Sequence, residues 1–462
     1  MDRLNPLSAF PAYMALGILA MIIAYDCRRD IRQLVSARNV FLLTIAAWFL
    51  LEACLLPDDL YRYTQFEHLL GLMAVAVCVT GFLAGYTGSR GGAFDGMFRK
   101  LVAVDRPRVI WGVFLFAVFA GFLPLLLIAK GNVLLILEDA FVSKARWSSI
   151  FQRGRFGGAR DALLELQMFL RAALPIGAAI LVQRKQSTLR KAFVALFFIY
   201  MTVRALNDGT RSKVVEVVLP LAAAVYWRFS PALKRRALFF GLPLLLGLGM
   251  LWSAASVLGR NQGRMDWEGA MNADYIGFEM FRELLYLQSV IPNRAPFQLG
   301  NTYYVQLVNP IPRFLWPDKP IGDAGLQLAG LQDTVAHGAD LTIAPGLVGE
   351  MYWNGGWPGI FILSLLLGYL AKSWDRVRQL AQQSILAFTV FAAGLAIIFV
   401  SGRAFSMSTT YGMLALYVIM IFFSRKSRRR AARPAPRQPT SDLQLASTAN
   451  SRQPLPLDQR NS

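Results

Sequence analysis

Uninterrupted apolar stretches, each about as long as a bilayer is thick, constrain this chain more than any other feature. Residues 109–128 and 239–258 carry no charged side chain, and a helix needs roughly 20 apolar residues to cross the hydrocarbon core. Over the whole chain 55% of residues are hydrophobic and the mean hydropathy is +0.42. A soluble core does not need such runs, so the sequence predicts an all-α integral membrane protein.

Hydropathy predicts about eleven spanning segments. They lie at 9–25, 39–56, 67–86, 108–129, 162–183, 191–206, 214–229, 237–258, 344–370, 384–402 and 407–424. The chain thus divides into a first helical part with a loop near 130–161 (1–258), a large extracytoplasmic loop (259–343), a second helical part (344–424) and a basic disordered tail (425–462). Within the large loop, the periodicity predicts a helix at 275–290, and the prolines after it prevent long helices.

The formal net charge of +20 is concentrated in every second connection between the apolar segments. Clusters of Arg and Lys occupy 28–38, 90–108, 184–191, 234–236, 372–378 and 425–430. By the positive-inside rule these connections are cytoplasmic, which places the N-terminus outside and the C-terminus inside. Because the basic residues flank membrane segments, we predict no binding of nucleic acid.

Cysteine and histidine are too few and too scattered for a metal site or a disulfide framework. The three cysteines, Cys27, Cys54 and Cys78, lie in or beside apolar segments, and there are only two histidines, His68 and His337. Neither set has the spacing of metal ligands. We therefore predict no metal and no other cofactor.

Ionisable residues inside the predicted spans are costly and often functional. Glu52, His68, Glu165, Arg171 and Glu216 all fall in the outer half of their segments. As a group they predict a polar cavity that opens to the outer face. For each residue alone, we instead expect snorkelling or a structural ion pair, such as Arg171 with a neighbouring carboxylate.

Two motifs carry a resemblance to a known family. Residues 309–320 read Asn-Pro-Ile-Pro-Arg-Phe-Leu-Trp-Pro-Asp-Lys-Pro, and 346–359 read Gly-Leu-Val-Gly-Glu-Met-Tyr-Trp-Asn-Gly-Gly-Trp-Pro-Gly. Together they resemble O-antigen and related oligosaccharide repeat-unit polymerases of the Wzy type. In that family a Pro-Arg…Trp-Pro-x-Lys-Pro element precedes a Gly-Glu-x-Tyr-x-Asn-x-Gly element that enters a spanning helix. The turn at 209–212, Gly-Thr-Arg-Ser, is similar to a further element of the family.

The resemblance implies a C-class membrane glycosyltransferase of the bacterial inner membrane that works without a metal. Its substrates would be undecaprenyl-diphosphate-linked oligosaccharides in the outer leaflet of the membrane lipid. A growing glycan on the lipid would be the donor and one lipid-linked repeat unit the acceptor. The product would be O-antigen, capsule or exopolysaccharide, and the expected protein partners are a chain-length regulator and a flippase.

This chemistry predicts two kinds of site residue. Positioned cations must stabilise the charge that develops on the leaving diphosphate, and the candidates are Arg211, Arg260, Arg313, Lys319 and Arg403. The acceptor hydroxyl needs a general base, for which the candidates are Glu350 first, then His337, Asp340 and Asp318. The related ligases are considered to use a loop histidine, which makes His337 a candidate.

Three other functions compete with the polymerase. An O-antigen ligase has the same fold and donor but transfers glycan to the lipid A core, and the Pro-Arg…Lys-Pro element favours the polymerase. A lipid-linked oligosaccharide flippase is expected to show internal repeats, short loops and charges through both leaflets, which this sequence lacks. A structural or regulatory membrane protein does not explain Arg211, Arg260 and Arg403, which the predicted topology places next to the outer ends of membrane segments.

Overall fold

The structure is a computed structural model, and it describes residues 6–55, 58–141, 165–207, 211–230, 232–233, 236, 280–308, 311, 315–320, 324–332 and 343–405. Its regular elements in this part of the chain are all helices. The longer ones are α1 (Phe10–Arg29), α2 (Ala37–Leu55), α3 (Gln65–Gly88), α4 (Asp95–Val104), α5 (Pro107–Ile128), α6 (Val133–Phe141), α7 (Met168–Val182), α8 (Thr188–Asn207), α9 (Arg211–Arg228), α10 (Met280–Val290), α11 (Asn301–Val308), α12 (Ala324–Leu331), α13 (Leu347–Arg376), α14 (Arg378–Ala381) and α15 (Ile385–Ser401).

The predicted segments coincide with helices wherever the structure describes them. The predictions at 237–258 and 407–424, like the tail 425–462, lie outside the described residues. Five helical stretches within the described ranges are long and apolar enough to cross a membrane. They are Phe10–Arg28, Ala37–Leu55, Gln65–Gly88, Pro107–Ile128 and Leu347–Ala381, and α7 and α15 are shorter apolar helices. The prediction of an all-helical chain with apolar helices long enough to cross a membrane is therefore confirmed, whereas the number of spans stays a prediction.

The connections that the charge pattern assigns to one side do meet at one end of the bundle. The Asp375 carboxylate accepts hydrogen bonds from the Ala37 amide at 2.7 Å and from the Tyr86 hydroxyl at 2.9 Å. Asp105 likewise accepts from Gln183 Nε2 at 2.7 Å and from Ser384 Oγ at 2.6 Å. These contacts support the predicted alternation of the chain across the bundle, although which end faces the cytoplasm stays a prediction.

Glycines allow α3 and α13 to pack with their backbones in contact. A Cβ atom added to Gly85 would lie 2.0 Å from the Leu365 carbonyl oxygen, and one added to Gly368 would lie 2.0 Å from that of Phe82. Lipid tails are as apolar as the side chains, so helices in membranes associate through such close packing of small residues. The close packing at Gly85 and Gly368 fixes the position of the second half of α13 against α3.

The element α13 is two helices that fold against each other. At Gly355 and Gly356 the backbone is not helical, with φ/ψ of −158°/19° and 60°/−150°. A Cβ atom at Gly359 would lie 2.9 Å from the Met351 carbonyl oxygen, whereas in a continuous helix residues eight apart are separated by roughly 12 Å. We call the two limbs α13a (347–354) and α13b (357–376). The predicted single span at 344–370 is thus a helical hairpin.

The large loop is partly helical, as the sequence predicts. The predicted helix at 275–290 is observed as α10, which begins at Met280, and residues 275–279 lie outside the described part. The helices after it, α11 and α12, have eight residues each, which agrees with the expected effect of the prolines. In the connection predicted near 130–161, α6 ends at Phe141 and the residues that follow it up to 164 are not described.

Candidate functional site

The start of α13a is held by the end of α15. The Gly346 and Leu347 amides donate to the carbonyl oxygens of Arg403 and Gly402, each at 3.0 Å. The first amides of a helix and the last carbonyls of a helix have no partner within their own helix, so each end satisfies the other. Gly346 has a φ of 70° and lies against Phe49, a conformation that favours glycine. Sequence and geometry together therefore place Arg403 beside the first turn of α13a.

Glu350 lies in this first turn and is completely buried, with 0% of its surface exposed. Thr302 Oγ1 donates to its Oε1 at 3.2 Å, and the Phe405 amide donates to its Oε2 at 2.9 Å. A buried carboxylate is costly unless such donors replace water. The carboxylate thus joins three segments: α13a, the first turn of α11 and the residues that follow α15.

Asn354 extends the same network because it lies four residues after Glu350, on the same face of the helix. Its Nδ2 donates to Thr302 Oγ1 at 2.7 Å and to the Glu350 carbonyl oxygen at 2.8 Å, and its Oδ1 accepts from the Gly300 amide at 2.9 Å. The Gln298 amide donates to the Trp353 carbonyl oxygen at 2.9 Å. The loop before α11 is therefore bound to α13a by side chains of the second motif.

Tyr303 completes the cluster on the other side of Thr302. Its ring packs edge-on against Phe405, with the ring centres 5.6 Å apart. Burial, with the nearby Glu350 carboxylate as a second cause, raises the pKa of Tyr303 well above its ordinary value. The hydroxyl is accordingly neutral under physiological conditions. The sequence predicted only that Tyr303 helps to pack the large loop onto the membrane or the bundle, and it predicted no site role for Thr302 or Asn354. The i, i+4 spacing of Glu350 and Asn354 was the available signal.

Two of the predicted diphosphate-binding cations have described side chains. Lys319 is 8% exposed, and its Nζ donates to the Ile311 carbonyl oxygen at 2.9 Å. That bond closes the proline-rich segment into a turn. Arg403 is half-buried in the turn after α15, and its backbone is held as described above. Both cations therefore start from fixed positions.

The remaining candidates are less fully placed. Arg211 is the first residue of α9, with its side chain outside the described part. Arg260, Arg313, His337 and Asp340 lie outside the described residues, and Asp318 is exposed. Their roles stay predictions.

Of the ionisable residues predicted within spans, several have structural partners. Arg171 pairs with Glu216 at 3.4 Å, which confirms the expected ion pair. Glu52 accepts from the amides of Phe281 at 2.7 Å and Arg282 at 3.3 Å, at the start of α10. His68 is buried with its Nε2 unpartnered among the described residues and its ring edge-on to Phe281. The side chain of Glu165 is not described.

Within the described part of the chain, no three His, Cys, Asp or Glu side chains are grouped so that they could hold a metal ion.

One protein-family model matches this chain. Its description is "Domain of unknown function (DUF8712)", and it matches residues 277–428, which is less than half of the chain. The matched stretch contains the whole hydrogen-bonded network from Gln298 to Phe405. No curated protein and no solved structure matches the chain.

Proposed function

We propose that this protein is a membrane glycosyltransferase that polymerises undecaprenyl-diphosphate-linked repeat units at the outer face of the bacterial inner membrane. The supporting observation is the bonding of Glu350 and Asn354, from the second motif, to Thr302 at the start of the helix that leads into the first motif. The network thereby joins the second motif to the helix that immediately precedes the first motif. The same network reaches the turn that carries Arg403.

The reaction is a displacement at the anomeric carbon of the donor glycan. A hydroxyl oxygen of the acceptor repeat unit forms the new bond to this carbon, and the bond from the carbon to the diphosphate oxygen breaks. Undecaprenyl diphosphate leaves with the bonding electron pair, and the hydroxyl proton passes to a base. The enzyme must therefore stabilise negative charge on the diphosphate and accept one proton.

Cations held in fixed places suit the first task because they need little reorganisation when the charge develops. Arg211, Arg260, Arg313, Lys319 and Arg403 are the residues we propose for it. Arginine binds diphosphate oxygens through paired hydrogen bonds. The bond from Lys319 Nζ to the Ile311 carbonyl oxygen and the held backbone of Arg403 support this assignment.

For the second task the geometry separates the candidates. A general base must come within hydrogen-bond reach of the hydroxyl it deprotonates. Glu350 is completely buried, and each of its carboxylate oxygens already accepts a hydrogen bond. Within the proposal, the loop candidates His337, Asp340 and Asp318 are therefore preferred over Glu350 as the base.

The proposal is tested with purified protein in vesicles that contain one synthetic lipid-diphosphate-linked repeat unit. We expect lipid-linked dimers and longer products, and we expect them to persist when EDTA is added. Transfer only to an added lipid A core would identify a ligase. Movement of the substrate between leaflets without a new glycosidic bond would identify a flippase, and either result would overturn the proposal.

A further inference from the structure

The turn after α15 is held at three points by the first turn of α13a. The Gly402 and Arg403 carbonyl oxygens accept from Leu347 and Gly346, and the Phe405 amide donates to the Glu350 carboxylate. Arg403 is the middle one of these three points in the sequence. Two of the three bonds involve only backbone atoms, so Glu350 supplies the one contact in this set that a side-chain substitution can remove.

The direction of the hydrogen bonds shows what this contact requires. Thr302 Oγ1 donates its proton to Glu350, and it accepts from Asn354 Nδ2. The Phe405 amide can only donate. Both bonds therefore run toward the carboxylate, which acts as an acceptor at each oxygen. Glu350 is thus linked to Arg403 through the Phe405 amide, two residues further along the same backbone. It is linked to the large loop through the Thr302 hydroxyl, and the bond from Asn354 fixes the orientation of that hydroxyl.

We propose that Glu350 is a positioning residue that fixes the Arg403 turn against the large loop, with Thr302 and Asn354 as its supports. Arg403 then meets the anionic headgroup of the lipid-linked donor in a set orientation. The diphosphate is the class of ligand concerned, and this part of the inference rests on the proposed function. The positioning of the Arg403 turn by Glu350 does not rest on the proposed function.

Kinetics in vesicles separate positioning from proton abstraction. For Glu350→Gln we expect the KM for the lipid-linked donor to rise roughly tenfold, with kcat within about threefold of the wild type. The shape of the pH–rate profile should not change. A general base would instead lose kcat by about 100-fold or more, together with the acidic limb of the profile, and that result would overturn the proposal.

The route through Arg403 has its own kinetic test. If Glu350 acts by placing Arg403, the double variant Glu350→Gln/Arg403→Ala should have the same KM as Arg403→Ala alone. A KM in the double variant that equals the product of the two single-variant increases would show that the two residues act independently. Thr302→Ser keeps the hydroxyl and should retain a KM near that of the wild type, whereas Thr302→Val should resemble Glu350→Gln. Equal behaviour of the two Thr302 variants would contradict the support role.

A second measurement does not depend on catalysis. Arg403→Cys is labelled with a membrane-impermeant thiol reagent in a Cys27→Ser background, since Cys54 and Cys78 are buried. We expect labelling to change several-fold when Glu350→Gln or Thr302→Val is added. Glu283→Gln alters another buried carboxylate, which Gln332 and Arg282 bind, and should leave labelling unchanged.

The two measurements distinguish the possible failures. If the wild-type protein forms no glycosidic bond while labelling responds as expected, the proposed function fails and the positioning role stands. If labelling does not respond to Glu350→Gln, the positioning role fails whatever the activity.

Discussion

Ser364 Oγ lies 3.7 Å from Met351 Sδ, although the two residues are thirteen positions apart. A continuous α-helix would separate them by roughly 20 Å. The contact therefore requires the reversal at Gly355 and Gly356. The first limb, α13a, is then about 12 Å long, too short to cross a hydrocarbon core of roughly 30 Å. The polar network sits on this short limb, and neighbouring segments bond the Gly346 and Leu347 amides and the Trp353 carbonyl oxygen at its two ends.

The reversal depends on one glycine more than on its neighbour. Gly356 has a φ of 60° and a ψ of −150°, a region that costs other residues about 1–3 kcal/mol. Gly356→Ala should therefore lower the thermal stability of the purified protein. Gly355→Ala is the matched control, because its φ is negative and an added Cβ has no neighbour within 4 Å. A continuous helix would instead be stabilised by both changes.

The contact between α3 and α13b predicts a second pair of variants. Gly85→Ala places a methyl group 2.0 Å from the Leu365 carbonyl oxygen, so the helices must separate, at a cost of about 1–3 kcal/mol. Gly88→Ala, at the end of the same helix, meets nothing within 4 Å and should be neutral. Unfolding in detergent measures both. Equal stability of the two variants would argue against this helix contact.

Glu52 ties the large loop to the membrane helices. Its carboxylate accepts two amides at the start of α10, where a negative charge also meets the positive end of the helix dipole. Glu52→Ala leaves these amides without their acceptor and should cost about 1–3 kcal/mol. Glu52→Gln should cost less, since its amide oxygen can accept one bond. Faster hydrogen exchange at Phe281 and Arg282 in the alanine variant is the measurement; unchanged protection would refute the capping role.

Tyr303 predicts an alkaline limit to stability. The pKa of Tyr303 in the folded protein is raised above its ordinary value of about 10, so above that pH the unfolded chain loses the proton first. The stability contribution is therefore fully present below about pH 10 and declines as the pH rises further. Tyr303→Phe should show a weaker decline in melting temperature between about pH 10 and 11. An identical decline in both proteins would contradict the assignment.

The proposed diphosphate site predicts the effect of two arginines. Arg211→Ala and Arg313→Ala should each abolish polymer in cells, because developing charge on the leaving group would lose its stabilisation. Immunoblots should show normal protein levels. Arg228→Ala is a useful control, since the Arg228 guanidinium donates to the carbonyl oxygen of Val182, the last residue of α7. Full polymer in both test variants would reject the site.

The sequence predicted the helices because a long apolar run has few alternatives in a bilayer. It did not predict the reversal in α13, because the apolar pattern continues on both sides of Gly355 and Gly356. Glu350 was expected to open a helix, and it does lie in the first turn. Thr302 and Phe405, which donate hydrogen bonds to it, are 48 and 55 residues away. Contacts at that separation are set by tertiary packing, which no local pattern reports.

The central claim is tested most directly by the size distribution of surface glycan and lipid-linked glycan in a strain that lacks this protein. The proposal predicts a single repeat unit on the final acceptor in place of the ladder of the parent strain, with the ladder restored by the wild-type gene. Full-length polymer retained on undecaprenyl diphosphate, lipid-linked repeat units trapped on the cytoplasmic side, or an unchanged ladder would each contradict it.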